Sequence, residues 1–151
     1  MNLTKKIIIF GGSGFIGLSL AKALIKKQYV VVIVSRHRPK DSGNWTFVKW
    51  DAQQLGNWVE HLEGAHAIVN VVGRTVDCVK SPDHCDEILR SRVLSVELIG
   101  QALNLIKQKP KVWAQMSTAH IYGDPPSIIC DETSHIGYGL APYVGQAWET
   151  A

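Results

Sequence analysis

The stretch Lys6-Ile7-Ile8-Ile9-Phe10-Gly11-Gly12-Ser13-Gly14-Phe15-Ile16-Gly17 decides how the rest of the chain is read. It opens with a short, continuously apolar, β-branched run that stops at glycines, the pattern of a strand buried on both faces of a parallel sheet. From Phe15 to Lys27 the apolar residues Phe15, Ile16, Leu18, Leu20, Ala21, Leu24 and Ile25 recur at helical spacing. Lys26 and Lys27 stand where the negative end of a helix favours positive charge. A buried strand therefore passes through a glycine turn into a helix.

Working outward, Val30-Val31-Val32-Ile33-Val34 repeats the buried-strand pattern and completes a strand-helix-strand unit. Such a unit implies a right-handed crossover and parallel strands. Thr46–Trp50 predicts a third strand, Trp58–Leu62 a short helix, and Ala67–Val72 a fourth strand. Asp86–Lys107 predicts a long helix ending before Pro110, and Val112–Met116 a fifth strand. Asp124-Pro125-Pro126-Ser127 and Gly137-Tyr138-Gly139 are turn material, and a last helix starts near Pro142 or Tyr143 and is cut off at Ala151. This order implies the α/β class with a Rossmann-like, doubly wound parallel sheet. A chain of 151 residues supports a single core, so residues 1–151 are expected to form one domain.

Residues Gly12 to Gly17 satisfy G-x-G-x-x-G at the place that gives this pattern its meaning, after a strand and at the mouth of a helix. Gly11, Gly14 and Gly17 also read as G-x-x-G-x-x-G, with Phe15 and Ile16 inside the motif. A tight turn, backbone approach to a pyrophosphate, and close helix-sheet packing each exclude a Cβ. The phosphates of a dinucleotide then sit on the positive helix end. At the end of the second strand, Val34-Ser35-Arg36-His37-Arg38 lacks the acid that would accept a hydrogen bond from a ribose 2′-hydroxyl, and no acid precedes Asp41. Arg36 and Arg38 suit a 2′-phosphate instead, through charge-assisted bidentate bonds, so NADP(H) is expected in preference to NAD(H).

Composition narrows the alternatives. With 46% hydrophobic and 19% charged residues, the chain has the balance of a globular protein and not of a disordered one. Its net charge of +3 is scattered instead of gathered into a basic stripe, which argues against nucleic acid as a partner. No apolar run approaches the ~20 residues of a membrane-spanning helix, and no signal peptide is read. Cys78, Cys85 and Cys130 form no C-x-x-C pair and leave an odd thiol, which fits a reducing compartment such as the cytoplasm. Together with His84 they lack the paired knuckles of a zinc site, so no metal is expected.

Further segments complete an ordered set: Asp51 past the third strand, Asn70-Val71-Val72-Gly73 closing the fourth, and Ser117-Thr118-Ala119-His120-Ile121-Tyr122-Gly123 closing the fifth. With the glycine run, this set resembles the extended short-chain dehydrogenase/reductase superfamily of NAD(P)-dependent epimerases and dehydratases. Ser91-Arg92-Val93 and Trp148-Glu149 resemble its "epimerase family" branch. The resemblance implies that Asp51 and Ala52 hold the adenine and that Val71, Val72 and Gly73 line the adenosine and ribose side. It implies that Ser117 orients a substrate carbonyl or alcohol, and that Tyr143 stands where the family places its proton-exchanging tyrosine.

A phenol with an ordinary pKa of about 10 becomes a base near neutrality only beside a cation. The family supplies a lysine four residues on, where this chain has Ala147. Tyr122 and His120 lie on the neighbouring loop, where packing also accounts for them. The resemblance further implies a chain of about twice this length. These residues are then its N-terminal part, truncated before the last strands and the C-terminal substrate region. It also suggests a homodimer through the long helix, whose apolar face core packing explains equally well. The implied activity is an NADP(H)-dependent oxidoreductase or nucleotide-sugar-epimerase-like enzyme acting on a small carbonyl, alcohol or sugar-like substrate. The alternative is a non-catalytic NADP(H)-binding sensor or scaffold.

Overall fold

The computed structural model describes residues 5–124 and 129–151, so the expected turn at Pro125-Pro126-Ser127 lies outside the described residues. Five strands, β1 (Lys6–Phe10), β2 (Val30–Ser35), β3 (Trp45–Lys49), β4 (Ala67–Asn70) and β5 (Val112–Gln115), form one sheet in the order β3-β2-β1-β4-β5. All neighbours are parallel, with Ile8 opposite both Val32 and Ile68 in the central strands. The order reverses direction at β1, between β2 and β4, which is where an open α/β sheet opens a crevice at its carboxyl edge.

The alternation of side chains along β1 and β2 sorts the core into two layers. Ile7, Ile9, Val31 and Ile33 face α1 (Phe15–Lys26) and pack on Ala21, Leu18, Leu24 and Ile25. Ile8, Phe10, Val32 and Val34 face the opposite side, where α2 (Pro82–Leu103) lays Leu98, Ile99 and Ala102 across the sheet. A 3-10 helix at Asn57–Leu62 adds Trp58 to that layer. Phe10 meets Trp50 and Trp58 edge-on with ring centroids 5.3 Å apart, the offset geometry that aromatic quadrupoles favour.

Several boundaries differ from those the sequence predicts, each for a local reason. α2 begins at Pro82 because Ser81 caps it, its Oγ accepting from His84 N at 3.3 Å, with proline at the first helical position. It ends at Leu103 instead of Lys107 because the Glu63 carboxylate takes the amides of Lys107 and Gln108 at 2.9 and 2.7 Å. β4 ends at Asn70, so Val71 and Val72 belong to the following loop. α3 (Leu140–Thr150) starts before Pro142, which sits in the first turn, where a missing amide hydrogen leaves no bond unmade. Phe15 and Ile16 do not join the core: they are 89% and 53% exposed at the start of α1. On the apolar face of α2, Leu98, Ile99 and Ala102 belong to the core layer against the sheet, and Ile88 and Val96 are buried as well.

Trp58→Ala should lower stability by about 3–5 kcal/mol, since a fully enclosed indole leaves a cavity. Phe15→Ser should change it by less than about 0.5 kcal/mol. Urea denaturation of the two variants checks the contrast.

Candidate cofactor cleft

Backbone proximity shapes the mouth of the sheet. Gly11 has φ +77°, and a Cβ there would lie 3.0 Å from the Val71 carbonyl and the Val72 nitrogen. A Cβ on Gly17 would lie 2.6 Å from the Gly12 Cα, so α1 can approach the turn only with glycine at both places. The N-cap of α1 is Gly14, with no side chain capping it. The first amide groups of the helix, at Phe15, Ile16 and Gly17, therefore have no intrahelical acceptor and face the turn with the positive end of the helix dipole.

This turn forms one wall of a cleft of about 610 Å³. Gly11 and Gly14 line it together with Ser13, while the end of β2 contributes Ser35, Arg36 and His37. Asp51, Ala52 and Gln53 come from the turn after β3, and Val71, Val72 and Gly73 from the loop after β4. Four expected residues stand apart from the rest: Phe15 and Ile16, exposed at the start of α1, and Gly17 and Arg38. Gly17 sits behind the turn, and the Arg38 guanidinium lies 4.7 Å over the Phe47 ring instead of lining the cleft, leaving Arg36 as the arginine of that turn inside it. Sequence reasoning missed Ser13 and His37 within its own motifs, and it missed the α2 wall of Glu87, Arg90, Ser91 and Leu94 altogether.

Each lining loop is held by its own polar residues. Ser35 is buried, and its hydroxyl donates to the His37 carbonyl at 3.0 Å, fixing the turn that presents Arg36. Asp51 accepts from the Gln53 and Gln54 amides at 2.8 and 3.2 Å and from Gln54 Nε2 at 3.1 Å. These bonds favour the anion, the Gln53 amide most, and hold the carboxyl below its ordinary value against a smaller opposing effect of burial. They also secure Ala52 at φ +63°, a backbone conformation that costs a non-glycine residue about 1–2 kcal/mol. Asn70 is fully buried: its amide donates to Ser95 Oγ and Gln115 Oε1, both at 3.1 Å, while its oxygen accepts from the Val72 amide at 3.1 Å. Across from it, Ser91 Oγ accepts from the Arg74 amide at 3.0 Å, and Arg74 pairs with Glu87.

Ser117 and Tyr143 lie outside this cleft. Ser117 follows β5, and its hydroxyl donates to the Glu149 carboxylate in the last turn of α3. Tyr143 is 60% exposed on α3, which seats Gly145 against Thr118 and Ile121 of the loop after β5. The helix stacks Trp148 against Arg92 of α2, with the guanidinium 5.1 Å from the ring centroid. Desolvation first, then Glu132 and Glu149, pushes the Tyr122 phenol up from its ordinary range, so near neutrality it is a hydrogen-bond donor and not a base. Among the described residues no group of three His, Cys, Asp or Glu side chains is placed to hold a metal, and no helix is long and apolar enough to cross a membrane.

A parallel sheet, a glycine turn at its switch point and a cleft lined from four successive strand ends define a dinucleotide-binding α/β domain. The chain belongs to the NAD dependent epimerase/dehydratase family, whose model matches residues 7–144. The epimerase family protein YfhF of Bacillus subtilis is 29% identical over 118 residues, 78% of this chain and 39% of that protein. The crystal structure of human epimerase family protein SDR39U1 (isoform 2) with NADPH superposes with a TM-score of 0.76 at 24% identity, covering 96% of this chain and 48% of that one. A UDP-galactose 4-epimerase superposes with a TM-score of 0.80 at 18% identity, covering 96% and 49%. The chain thus spans about two fifths of such curated relatives and half of the solved chains.

Because the folded pKa of Asp51 is depressed, its contribution to stability is fully present above the ordinary value of 3.8 and is lost as pH falls through the lower folded value. The difference in thermal midpoint between the protein and Asp51→Asn should therefore stay constant above pH about 5 and close at lower pH. Thermal unfolding followed by circular dichroism across that range checks it.

Proposed function

We propose that residues 1–151 are the cofactor-binding domain of an NADP(H)-dependent oxidoreductase or epimerase-like enzyme acting on a small carbonyl, alcohol or sugar-like substrate. The observation that carries this reading is the cleft in which the glycine turn, Arg36 and the Asp51 turn converge. Gly11, Gly14 and the uncapped start of α1, at Phe15, Ile16 and Gly17, suit a pyrophosphate. Ala52, Val71, Val72 and Gly73 suit the adenosine and ribose. The absence of an acid at the end of β2 supports NADP(H) over NAD(H), and Asp41, the first acid to follow, pairs with Lys22 outside the cleft. The NADPH bound by human SDR39U1 agrees with this preference, while NAD accompanies a Bacillus cereus UDP-glucuronic acid 4-epimerase of the same fold.

The nicotinamide, when bound, exchanges a hydride with a carbon bearing oxygen. The chain's own part is to bind and orient: Ser117, its hydroxyl steered by Glu149, holds the substrate oxygen, and Tyr143 exchanges the proton. The odd number of thiols supports a reducing location, the cytoplasm. A second reading, binding of NADP(H) without turnover, is favoured by Ala147 at the place of the family's lysine and by the exposure of Tyr143.

Calorimetric titration with NADPH and NADH should give tighter NADPH binding. Arg36→Ala should weaken NADPH by about 2 kcal/mol, roughly thirtyfold, through loss of charge-assisted bonds, and leave NADH nearly unchanged. Equal binding of both cofactors, or none, would sink the NADP(H) assignment. Turnover of any member of a carbonyl and sugar-nucleotide panel decides between the two readings.

A further inference from the structure

One wall of the cleft comes from α2, whose residues Glu87, Arg90, Ser91 and Leu94 all line it. Their spacing of three and four is that of a single helical face. Leu94 packs against the core, as Ala52 and Val72 do. All three also line the cleft, Ala52 from the turn after β3, Val72 from the loop after β4 and Leu94 from α2, and their apolar surface suits a flat ring. Arg90 lies one turn nearer the N-terminus of α2 on the same face and also lines the cleft.

Two features fit Arg90 for a ring and not for a counter-ion. Its side chain is 68% exposed, and Asp86, four residues back on the helix, pairs with its Nε at 2.8 Å. That bond engages the inner edge of the guanidinium, and both Nη groups and the faces of the plane stay open. The carboxylate that shares the wall, Glu87, is already paired with Arg74. Arginine stacks on aromatic planes in a way that lysine does not.

We propose that Arg90 is a clamp for the adenine ring: its guanidinium lies over the face of the base that Ala52, Val72 and Leu94 leave open. This rests on the reading of the cleft as a dinucleotide site, but it does not depend on which dinucleotide is preferred. Arg36 and Arg90 then divide the adenosine between them, Arg36 at the ribose and Arg90 at the base.

Fluorescence titration of the protein with NADPH, NADH and AMP, before and after substitution, tests it. Arg90→Ala should weaken all of these by a common factor of about ten, because each carries the same base. Arg90→Lys should fail to restore binding, since an ammonium has the charge without the plane. The position is exposed, and unchanged thermal unfolding of both variants verifies that the fold is intact. Unaltered binding by Arg90→Ala would overturn the clamp, as would a loss confined to NADPH, which would make Arg90 a phosphate ligand, or full rescue by lysine. Failure of the unsubstituted protein to bind any of these probes would overturn the dinucleotide reading itself and the clamp with it.

Discussion

At Gly11 the chain leaves β1 and must pass the backbone of the loop after β4 while α1 closes in from the other side. The gap has the width of a backbone without side chains. A methyl group on Gly11 would press on the Val71 carbonyl at 3.0 Å, and one on Gly17 would overlap Gly12 at 2.6 Å. This close approach brings the positive end of α1 to the carboxyl edge of β1 and β4, and it seats the helix on Ile7, Ile9, Val31 and Ile33. Packing and ligand geometry thus impose the same requirement on the same residues, so the stability of the first strand-helix-strand unit and the shape of the cleft cannot be altered independently.

The remaining walls are set by polar residues that spend their hydrogen bonds inside the protein. Asn70 ties the loop carrying Val72 to α2 through Ser95 and to β5 through Gln115, with both ends of its side chain satisfied in a fully buried site. A buried amide with all partners present specifies one loop geometry, since any other conformation leaves a polar group without water or protein to replace it. Ser35 and Asp51 do the same for the turns after β2 and β3. What these anchors present to the cleft is the Arg36 side chain and the apolar surface of Ala52, Val72 and Leu94.

What could be read from the sequence follows the range of the interactions involved. The buried-strand runs and the glycine motif are local patterns, and β1, α1 and β2 stand within a residue of where those patterns place them. The Ser81-Pro82 cap of α2 was legible in principle, but the apolar period beginning at Ile88 outweighed it. The early end of α2 was not, because it depends on Glu63, some forty residues earlier in the chain. Arg36 and Arg38 look equivalent in sequence. Only the register that sets Phe47 opposite Ile33 gives Arg38 a ring to cover and leaves Arg36 to the cleft. The α2 wall was hidden for a similar reason: which face of a helix meets a cleft is fixed by how the helix crosses the sheet, and periodicity identifies only the face that meets the core.

The post-β5 region follows a different logic from the cleft. There the Ser117 hydroxyl is committed to Glu149, Trp148 to Arg92, and Gly145 to close contact with Thr118 and Ile121. These contacts dock α3 as a unit on the loop after β5 and on α2, so the distance between Ser117 and Tyr143 is governed by helix packing and not by a bond between them. Four residues past Tyr143 the helix carries Ala147, and the charged side chain of α3 is Glu149. A hydroxyl whose proton already points to a carboxylate offers its lone pairs to a donor. The Ser117–Glu149 bond ties the loop after β5 to the last turn of α3.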